Sequence, residues 1–271
     1  MPLQAGSQVA AIDRVGASVL RMFGFVGALA SFGLRAGVEA FRPPYEPREV
    51  ARLVYQFGTR SAPLVVTAGL AIGVVLSMHT RASLEQFGAE ALIPAGLAIA
   101  LIRETGPLIA GLLVAGRVGA GIGAEIGAMK VTEQIDALEA NAVDAFKYLA
   151  VTRIIALMIA MPLLTVMMDF AGIVGGYLAE TAVSGMSWSL YFERAFTYVS
   201  YSDLIPATIK TIVFGYLIAV AACYLGFTTN RGTEGVGEAS TQSVVIGSML
   251  IILGDVVLVK IIFFFYPVIS G

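Results

Sequence analysis

Five stretches of this chain are apolar over about 20 residues, the length that a helix needs to cross a ~30 Å hydrocarbon core. Their apolar residues run continuously and do not alternate with polar ones, which argues against the strands of a membrane barrel. Only 13% of the 271 residues are charged, compared with about 25% in an ordinary soluble domain. The sequence therefore predicts an all-α integral membrane protein with spans at roughly 63–80, 91–120, 154–179, 205–228 and 244–269.

Charge and cysteine content exclude other classes. The formal net charge is −2, and no segment combines a basic patch with interleaved aromatic residues, so we expect no nucleic-acid partner. A single cysteine, Cys223, leaves no internal disulfide to form. The first ten residues carry no basic residue and no cleavage motif, so no signal peptide is expected.

Lysines and arginines outside the spans predict the orientation, because they concentrate in cytoplasmic segments. One side holds Arg14, Arg21, Arg35, Arg42, Arg48, Arg52, Arg60, Lys130, Lys147, Arg153 and Arg231. The other side holds only Arg81 and Arg194. We therefore expect the N-terminus in the cytoplasm and the C-terminus on the opposite side of the membrane.

The segment before the first span has the pattern of an interfacial helix. Arg14, Arg21, Arg35 and Arg42 follow a seven-residue spacing, which gives one basic stripe on a helix. Val19, Phe23, Val26 and other apolar residues lie opposite. The prolines of RPPYEP, residues 42–47, then end the helix. We predict an N-terminal interfacial helix and connector over 1–62 and one five-span domain over 63–271; a helix packed on the rest of the protein is the alternative.

Residues 100–111, ALIRETGPLIAG, place two charges and a proline inside the second span. Ionisable residues at such depth usually face protein, water or a polar ligand. Pro107 removes the backbone donor that would pair with the Arg103 carbonyl, so a helix kink is expected where the charges lie. Arg103 and Glu104 either serve function or form structural ion pairs with another helix. The available intramembrane partners are Asp169, Lys210, Asp255 and Lys260.

Small residues recur every four positions along three spans, which lets a second helix backbone approach closely. The pairs are Gly69 with Gly73 and Gly172 with Gly176, and the longest stripe is Gly111, Ala115, Gly119, Gly123 and Gly127. These stripes predict tight helix packing and carry no information about a substrate.

An amphipathic segment, residues 125–148, follows the second span. Apolar and charged residues alternate at helical spacing, and the segment is more acidic than a membrane anchor should be. A short helix that docks a cytoplasmic protein explains this pattern better than a loop helix resting on the membrane.

Residues 103–144, RETGPLIAGLLVAGRVGAGIGAEIGAMKVTEQIDALEANAVD, resemble the signature of the MlaE-type permeases. These are membrane subunits of ABC systems that move phospholipids and other lipids in bacterial envelopes, with relatives in mycobacterial Mce systems and in plastids. The predicted layout agrees, so the resemblance covers nearly the whole chain.

The resemblance implies a permease in the bacterial inner membrane that moves phospholipid to or from a periplasmic MCE-domain ring, for outer-membrane lipid homeostasis. It implies a homodimer with two cytoplasmic ATPase subunits, and it implies that the side holding the C-terminus is the periplasm. A coupling helix would span about 128–140, with Met129, Lys130, Glu133, Gln134, Asp136, Leu138 and Glu139 as its contact residues.

The resemblance also implies a lipid pocket between two subunits. Its candidate residues are Leu76, Leu84, Phe87, Arg103 and Glu104. The chain departs from the family pattern in SMHTRASLEQF, where His79 and Arg81 add polarity near the pocket.

Catalysis by this chain itself is not expected. No P-loop motif is present, so ATP and Mg²⁺ would be held by the partner ATPase, and no cofactor or metal site is predicted here. One histidine and no G-x-S-x-G leave an intramembrane hydrolase unsupported. An ion-coupled secondary transporter or channel is the alternative, although five spans do not divide into the equal halves common in such proteins.

Overall fold

The computed structural model describes residues 3–230 and 232–269, with side chains from residue 16 to 265 except at positions 18 and 231. The described chain is helical and contains no strand. The helices are α1 (Leu3–Ala40), α2 (Pro47–Leu84), α3 (Ile93–Ala100), α4 (Gly106–Val114), α5 (Ala120–Val131), α6 (Gln134–Ala140), α7 (Thr152–Ser184), α8 (Trp188–Phe196), α9 (Tyr201–Phe227) and α10 (Gly232–Ile269). This confirms the all-α prediction.

Six helical segments of the described chain are long and apolar enough to cross a membrane. Five of them overlap the predicted spans, and the sixth is Val19–Ala40 within α1. The prediction of five was therefore too low by this criterion, because the arginines of α1 are spaced widely enough to leave an apolar window. The chain is a multi-pass membrane protein, and the interfacial position of α1 stays a prediction.

The predicted second span is one helical rod interrupted twice. Two π-helical turns, Leu101–Thr105 and Ala115–Gly119, join α3, α4 and α5. Pro107 begins α4 directly after the first turn. The regular hydrogen-bond ladder is thus broken where the sequence predicts it, because the missing proline donor cannot continue the α-helical pattern. The rod also continues to Val131, well beyond the predicted end at residue 120.

Glycine stripes set the closest helix contacts, as predicted. A Cβ on Gly73 would overlap the Gly172 carbonyl, and one on Gly69 would overlap the Met168 carbonyl, so α2 and α7 meet backbone to backbone. The stripe on α4 and α5 faces α9 and α10: Gly119 lies against Ile218 and Gly123 against Ser243. Close approach of this kind gains dispersion energy that lipid cannot supply.

Helix α1 packs on the bundle through its second half. Phe25 and Phe32 meet Tyr224 edge to face, and Arg35 lies over the Phe146 ring, 4.1 Å from its centroid. The first half instead exposes apolar side chains, among them Val19, Phe23 and Val26. The predicted four-arginine stripe is shorter than expected, because α1 ends before Arg42; the side chain of Arg14 and residue Arg231 lie outside the described residues.

The predicted helix over 128–140 is two elements. Residues up to Val131 continue α5, a turn at Thr132–Glu133 follows, and α6 is Gln134–Ala140. Glu133 takes a left-handed conformation with φ 58°, which a continuous helix does not allow. The predicted helix is therefore not continuous, and in α6 Ile135 is buried while Asp136 and Glu139 are exposed. Its role in docking a cytoplasmic protein stays a prediction.

Candidate functional site

A cavity of ≈ 430 Å³ lies between the first π-helical turn, the start of α9 and the end of α10. One part of its wall carries charge, and the rest is apolar. The lining residues are Ile99, Ala100, Arg103, Glu104, Ser202, Asp203, Pro206, Ala207, Lys210, Val259, Ile262 and Phe263. We call it the upper cavity. An amphiphilic wall of this kind suits a ligand with a polar end and an apolar end.

Arg103 pairs with Asp203 at the mouth of the upper cavity. Its Nε and Nη2 atoms lie 2.6 and 2.5 Å from Asp203 Oδ1. Asp203 also accepts from the Ser200 backbone N–H and so closes the capping box that starts α9. The carboxylate is buried while the Arg103 side chain is 42% exposed to the cavity. The guanidinium is therefore fixed by Asp203 at the wall of the upper cavity.

Lys210 joins two carboxylates deeper in the upper cavity. Its Nζ donates to Glu104 Oε2 at 2.8 Å and lies 2.9 Å from Asp255 Oδ1, an ion pair without hydrogen-bond geometry. Lys210 is buried, at 1% side-chain exposure, and Glu104 is 46% exposed. A buried ammonium between two carboxylates satisfies its charge, and the arrangement leaves Glu104 partly open to the cavity.

The Arg103–Asp203 pair and the Lys210–Glu104 pair lie at different depths in the upper cavity. Asp203 and Lys210 are seven residues apart on α9, which is about 10 Å at ~1.5 Å per residue. Arg103 reaches toward the helix end, and its neighbour Glu104 reaches inward, since adjacent helical residues point about 100° apart. The cavity thus offers a cation near its mouth and a carboxylate further inside.

The first π-helical turn is held from behind by α7. Gly106 faces Asp169 so closely that a Cβ would collide with Asp169 Oδ1. That oxygen is buried and has no hydrogen-bond partner among the described residues. Gly106 and Pro107 are both buried against the bundle. The packing behind the turn therefore fixes which way Arg103 and Glu104 point.

The structure brings together only two of the five predicted lipid-pocket residues. Arg103 and Glu104 line the upper cavity, whereas Leu76 packs beside the small core formed around Leu97 and Leu101. Leu84 is half-buried near the end of α2, and Phe87 is 77% exposed. In the single protomer these three do not line the cavity, and their role in a pocket between two subunits stays a prediction.

Of the two polar residues that depart from the family pattern near the end of α2, Arg81 is held in ion pairs. Arg81 forms an ion pair with the buried Glu180 of α7 and lies 3.7 Å from Glu90. His79 is exposed. Nearby, burial raises the pKa of the Tyr191 phenol, and the Glu180 charge raises it further. Arg81 therefore fixes α2 to α7 and does not point into the upper cavity.

Sequence reasoning found part of the ion-pair network. Lys210 and Asp255 were among the predicted partners, and the structure assigns them to Glu104. Asp203 was missed as the partner of Arg103, although the S-x-x-D pattern at 200–203 marks the start of a helix. Asp169 is not in the network, and Lys260 is exposed on α10.

The predicted coupling residues form a compact surface at the opposite end of the bundle. Ile135 is buried, and Met129 and Leu138 pack against the main core. Gln134, Glu133, Asp136 and Glu139 are exposed, and Lys130 Nζ lies 3.1 Å from Asp136 Oδ1. The apolar side of α6 thus packs against the rest of the chain, and its acidic side is exposed.

Comparisons with known proteins agree with this architecture. The family model described as Permease MlaE matches residues 50–261. A probable ABC transporter permease protein of Rickettsia bellii is 36% identical over 93% of this chain and 97% of its own. The intermembrane phospholipid transport system permease protein MlaE of Haemophilus influenzae is 31% identical over the same shares. The chloroplastic protein TRIGALACTOSYLDIACYLGLYCEROL 1 of Arabidopsis thaliana is 33% identical over 80% of this chain and 62% of its own. The chain therefore belongs to the MlaE permease family.

Proposed function

We propose that this chain is the permease subunit of an inner-membrane ABC transporter that moves phospholipids or related lipids. The upper cavity is the observation that supports this most directly. Its charged wall offers donors and acceptors to a lipid headgroup, while Val259, Ile262 and Phe263 offer an apolar wall to an acyl chain. The name of the Haemophilus relative refers to phospholipid transport, which agrees with an amphiphilic ligand.

In this proposal the chain works as a homodimer with two cytoplasmic ATPase subunits and a periplasmic MCE-domain ring. The partner ATPase binds ATP and Mg²⁺, and the permease changes conformation in response. Lipid passes between the inner membrane and the MCE-domain partner, which supports outer-membrane lipid homeostasis. The N-terminus and α6 lie on the cytoplasmic side, and the C-terminus lies in the periplasm.

Contact with the ATPase is made by the exposed acidic face of α6. Gln134 and Glu139 are exposed to a partner, and Asp136 is exposed while it pairs with Lys130; the apolar residues of this helix are packed inside the chain. Charge reversal at Glu139 should reduce the amount of ATPase that co-purifies with the permease. Glu193→Arg on α8, at the other end of the bundle, is the matched control; equal ATPase recovery from both variants would contradict the contact.

Lipid extraction from the detergent-purified chain, followed by mass spectrometry, tests the cavity. We expect about one phospholipid per cavity in the wild type and much less in Glu104→Gln, because the amide keeps the side chain's shape but loses the charge. Lys210 retains Asp255 as a partner in this variant, so the fold should survive.

Glu180→Gln is the matched control for this experiment. It also neutralises a carboxylate that is paired with a cationic side chain, here Arg81, but Glu180 lies outside the cavity. Equal lipid in Glu104→Gln and wild type would remove Glu104 from the site. Substrate movement driven by an ion gradient without any ATPase would instead favour the secondary-transporter alternative.

A further inference from the structure

A second cavity, of ≈ 470 Å³, lies between α2 and the second π-helical turn. We call it the lower cavity. Its polar lining consists of Gln56, Arg60, Ser61, Arg117 and Glu125. It lies on the side of the bundle toward α6, whereas the upper cavity lies toward the other end. No predicted function of the chain uses these residues.

The two arginines of the lower cavity lack protein partners. Among the residues that the structure describes, neither Arg60 nor Arg117 has a hydrogen bond or an ion pair, and both are exposed to the cavity. The one carboxylate in the lining, Glu125, accepts from Arg153 Nη2 at 2.9 Å. The lower cavity therefore carries an excess of positive charge.

The lower cavity is also lined by a serine with a buried hydroxyl that is unpaired among the described residues. Ser61 is 1% exposed, and its Oγ atom has no hydrogen-bond partner within the described part of the chain. Helical serines commonly bond the carbonyl four residues earlier, and buried polar atoms are seldom left unpaired. Ser61 is one of the residues that line the lower cavity, so this unpaired hydroxyl lies next to the cavity that holds the two arginines.

Both arginines stand on helical segments that are long and apolar enough to cross a membrane, Arg60 on Pro47–Phe87 and Arg117 on Glu90–Val131. Arginines on such segments usually face a polar partner or water.

We propose that the lower cavity binds a phosphate group. The guanidinium fork matches phosphate oxygens in charge and geometry, and a serine hydroxyl is a common additional donor. Either a phosphodiester of a membrane lipid or free inorganic phosphate can supply this chemistry. The site is additional to the upper cavity and does not depend on lipid transport through it.

The test measures binding to the purified full-length chain by native mass spectrometry. The probes are phosphatidylglycerol, diacylglycerol with the same acyl chains, and inorganic phosphate. Arg117→Gln should weaken phosphatidylglycerol binding by about tenfold, the loss of one charge-assisted hydrogen bond. Diacylglycerol binding should not change. Arg48→Gln, an exposed arginine of α2 outside the cavity, should bind like the wild type.

A second variant, Gly121→Leu, tests the site by reducing its space without changing its charge. A Cβ at Gly121 meets nothing within 4 Å, so the leucine side chain starts in open space at a residue that lines the lower cavity, and we expect it to occupy part of the cavity. It should block phosphate binding as strongly as Arg117→Gln does.

The probes separate the possible occupants. A tenfold loss for inorganic phosphate with no preference for phosphatidylglycerol over diacylglycerol would support the site with free phosphate as its occupant. Unchanged binding of both phosphate probes in both variants would overturn the proposal. Separation of the protomers by Arg117→Gln with phosphate binding intact would also overturn it and assign these arginines to contact between two copies.

Discussion

Two π-helical turns on one helical rod each carry an arginine, and their surroundings differ. At Leu101–Thr105 every charge that faces the upper cavity is paired within the chain, with partners from α9 and α10. At Ala115–Gly119 the arginine faces the lower cavity without a partner in the described residues. The same local break in the helix therefore supports two kinds of site. In one the fold neutralises the charge, and in the other the proposed phosphate ligand does so.

Breaking the ion pairs of Lys210 in the upper cavity should have the largest effect on the free energy of unfolding. Lys210→Met leaves Glu104 and Asp255 without their cation, and removing one partner of a buried ion pair costs about 3–5 kcal/mol. We expect the lower end of this range, because Glu104 is 46% exposed and water screens it. Denaturant unfolding in detergent measures the loss. Lys260→Met, an exposed lysine on α10, is the control, and a matching small change in both would contradict the network's role.

Two glycine substitutions compare the surroundings of the turns directly. Gly106→Ala should cost about 1–3 kcal/mol, because its Cβ collides with Asp169 and must move α7 or the turn. Gly121→Ala should change the free energy of unfolding by less than about 1 kcal/mol, and in the stabilising direction, since its Cβ meets open space and alanine favours helix. Thermal unfolding of both proteins tests the pair, and equal losses would show that the two turns are packed alike.

Asp203→Asn should have a smaller effect on the mouth of the upper cavity. The amide oxygen can keep the helix cap, so we expect a loss of about 1 kcal/mol from the Arg103 contact, which is partly screened by exposure. Arg103 gains freedom to bind an anionic headgroup, so bound anionic lipid should increase relative to zwitterionic lipid in extracts. An unchanged lipid ratio would exclude Asp203 from headgroup selection.

Ser61→Ala should have a small effect on stability and, like Gly121→Ala, a stabilising one. Removing a buried hydroxyl without a partner relieves a desolvation cost, so stability should rise by up to about 1 kcal/mol. Phosphate binding should weaken a few-fold at the same time. Ser77→Ala, a second buried serine of α2, controls for the substitution itself. A stability loss in Ser61→Ala would mean that the hydroxyl has a partner within the fold.

Much of the fold follows from local sequence properties. The apolar stretches, the proline break at 42–47 and the glycine stripes predict helices, a connector and close packing, and the structure agrees. The errors were local too. The turn at Thr132–Glu133 interrupts a segment whose helical period is otherwise continuous, and a left-handed glutamate has little sequence signal. Arg117 was not predicted as a functional residue, because it is a single charge within a stretch of small residues that indicates helix packing.

The sequence by itself determined which residues carry charge into the apolar helices and the first of the two interruptions of the second span. Hydropathy, helical period and a proline's missing donor depend only on neighbours along the chain. Only the tertiary structure decided that Arg103 meets Asp203, that Lys210 lies between Glu104 and Asp255, and that Arg60 and Arg117 face one cavity. Those outcomes depend on which faces of distant helices meet, and backbone contacts such as that of Gly73 with Gly172 fix this across about 100 residues of sequence.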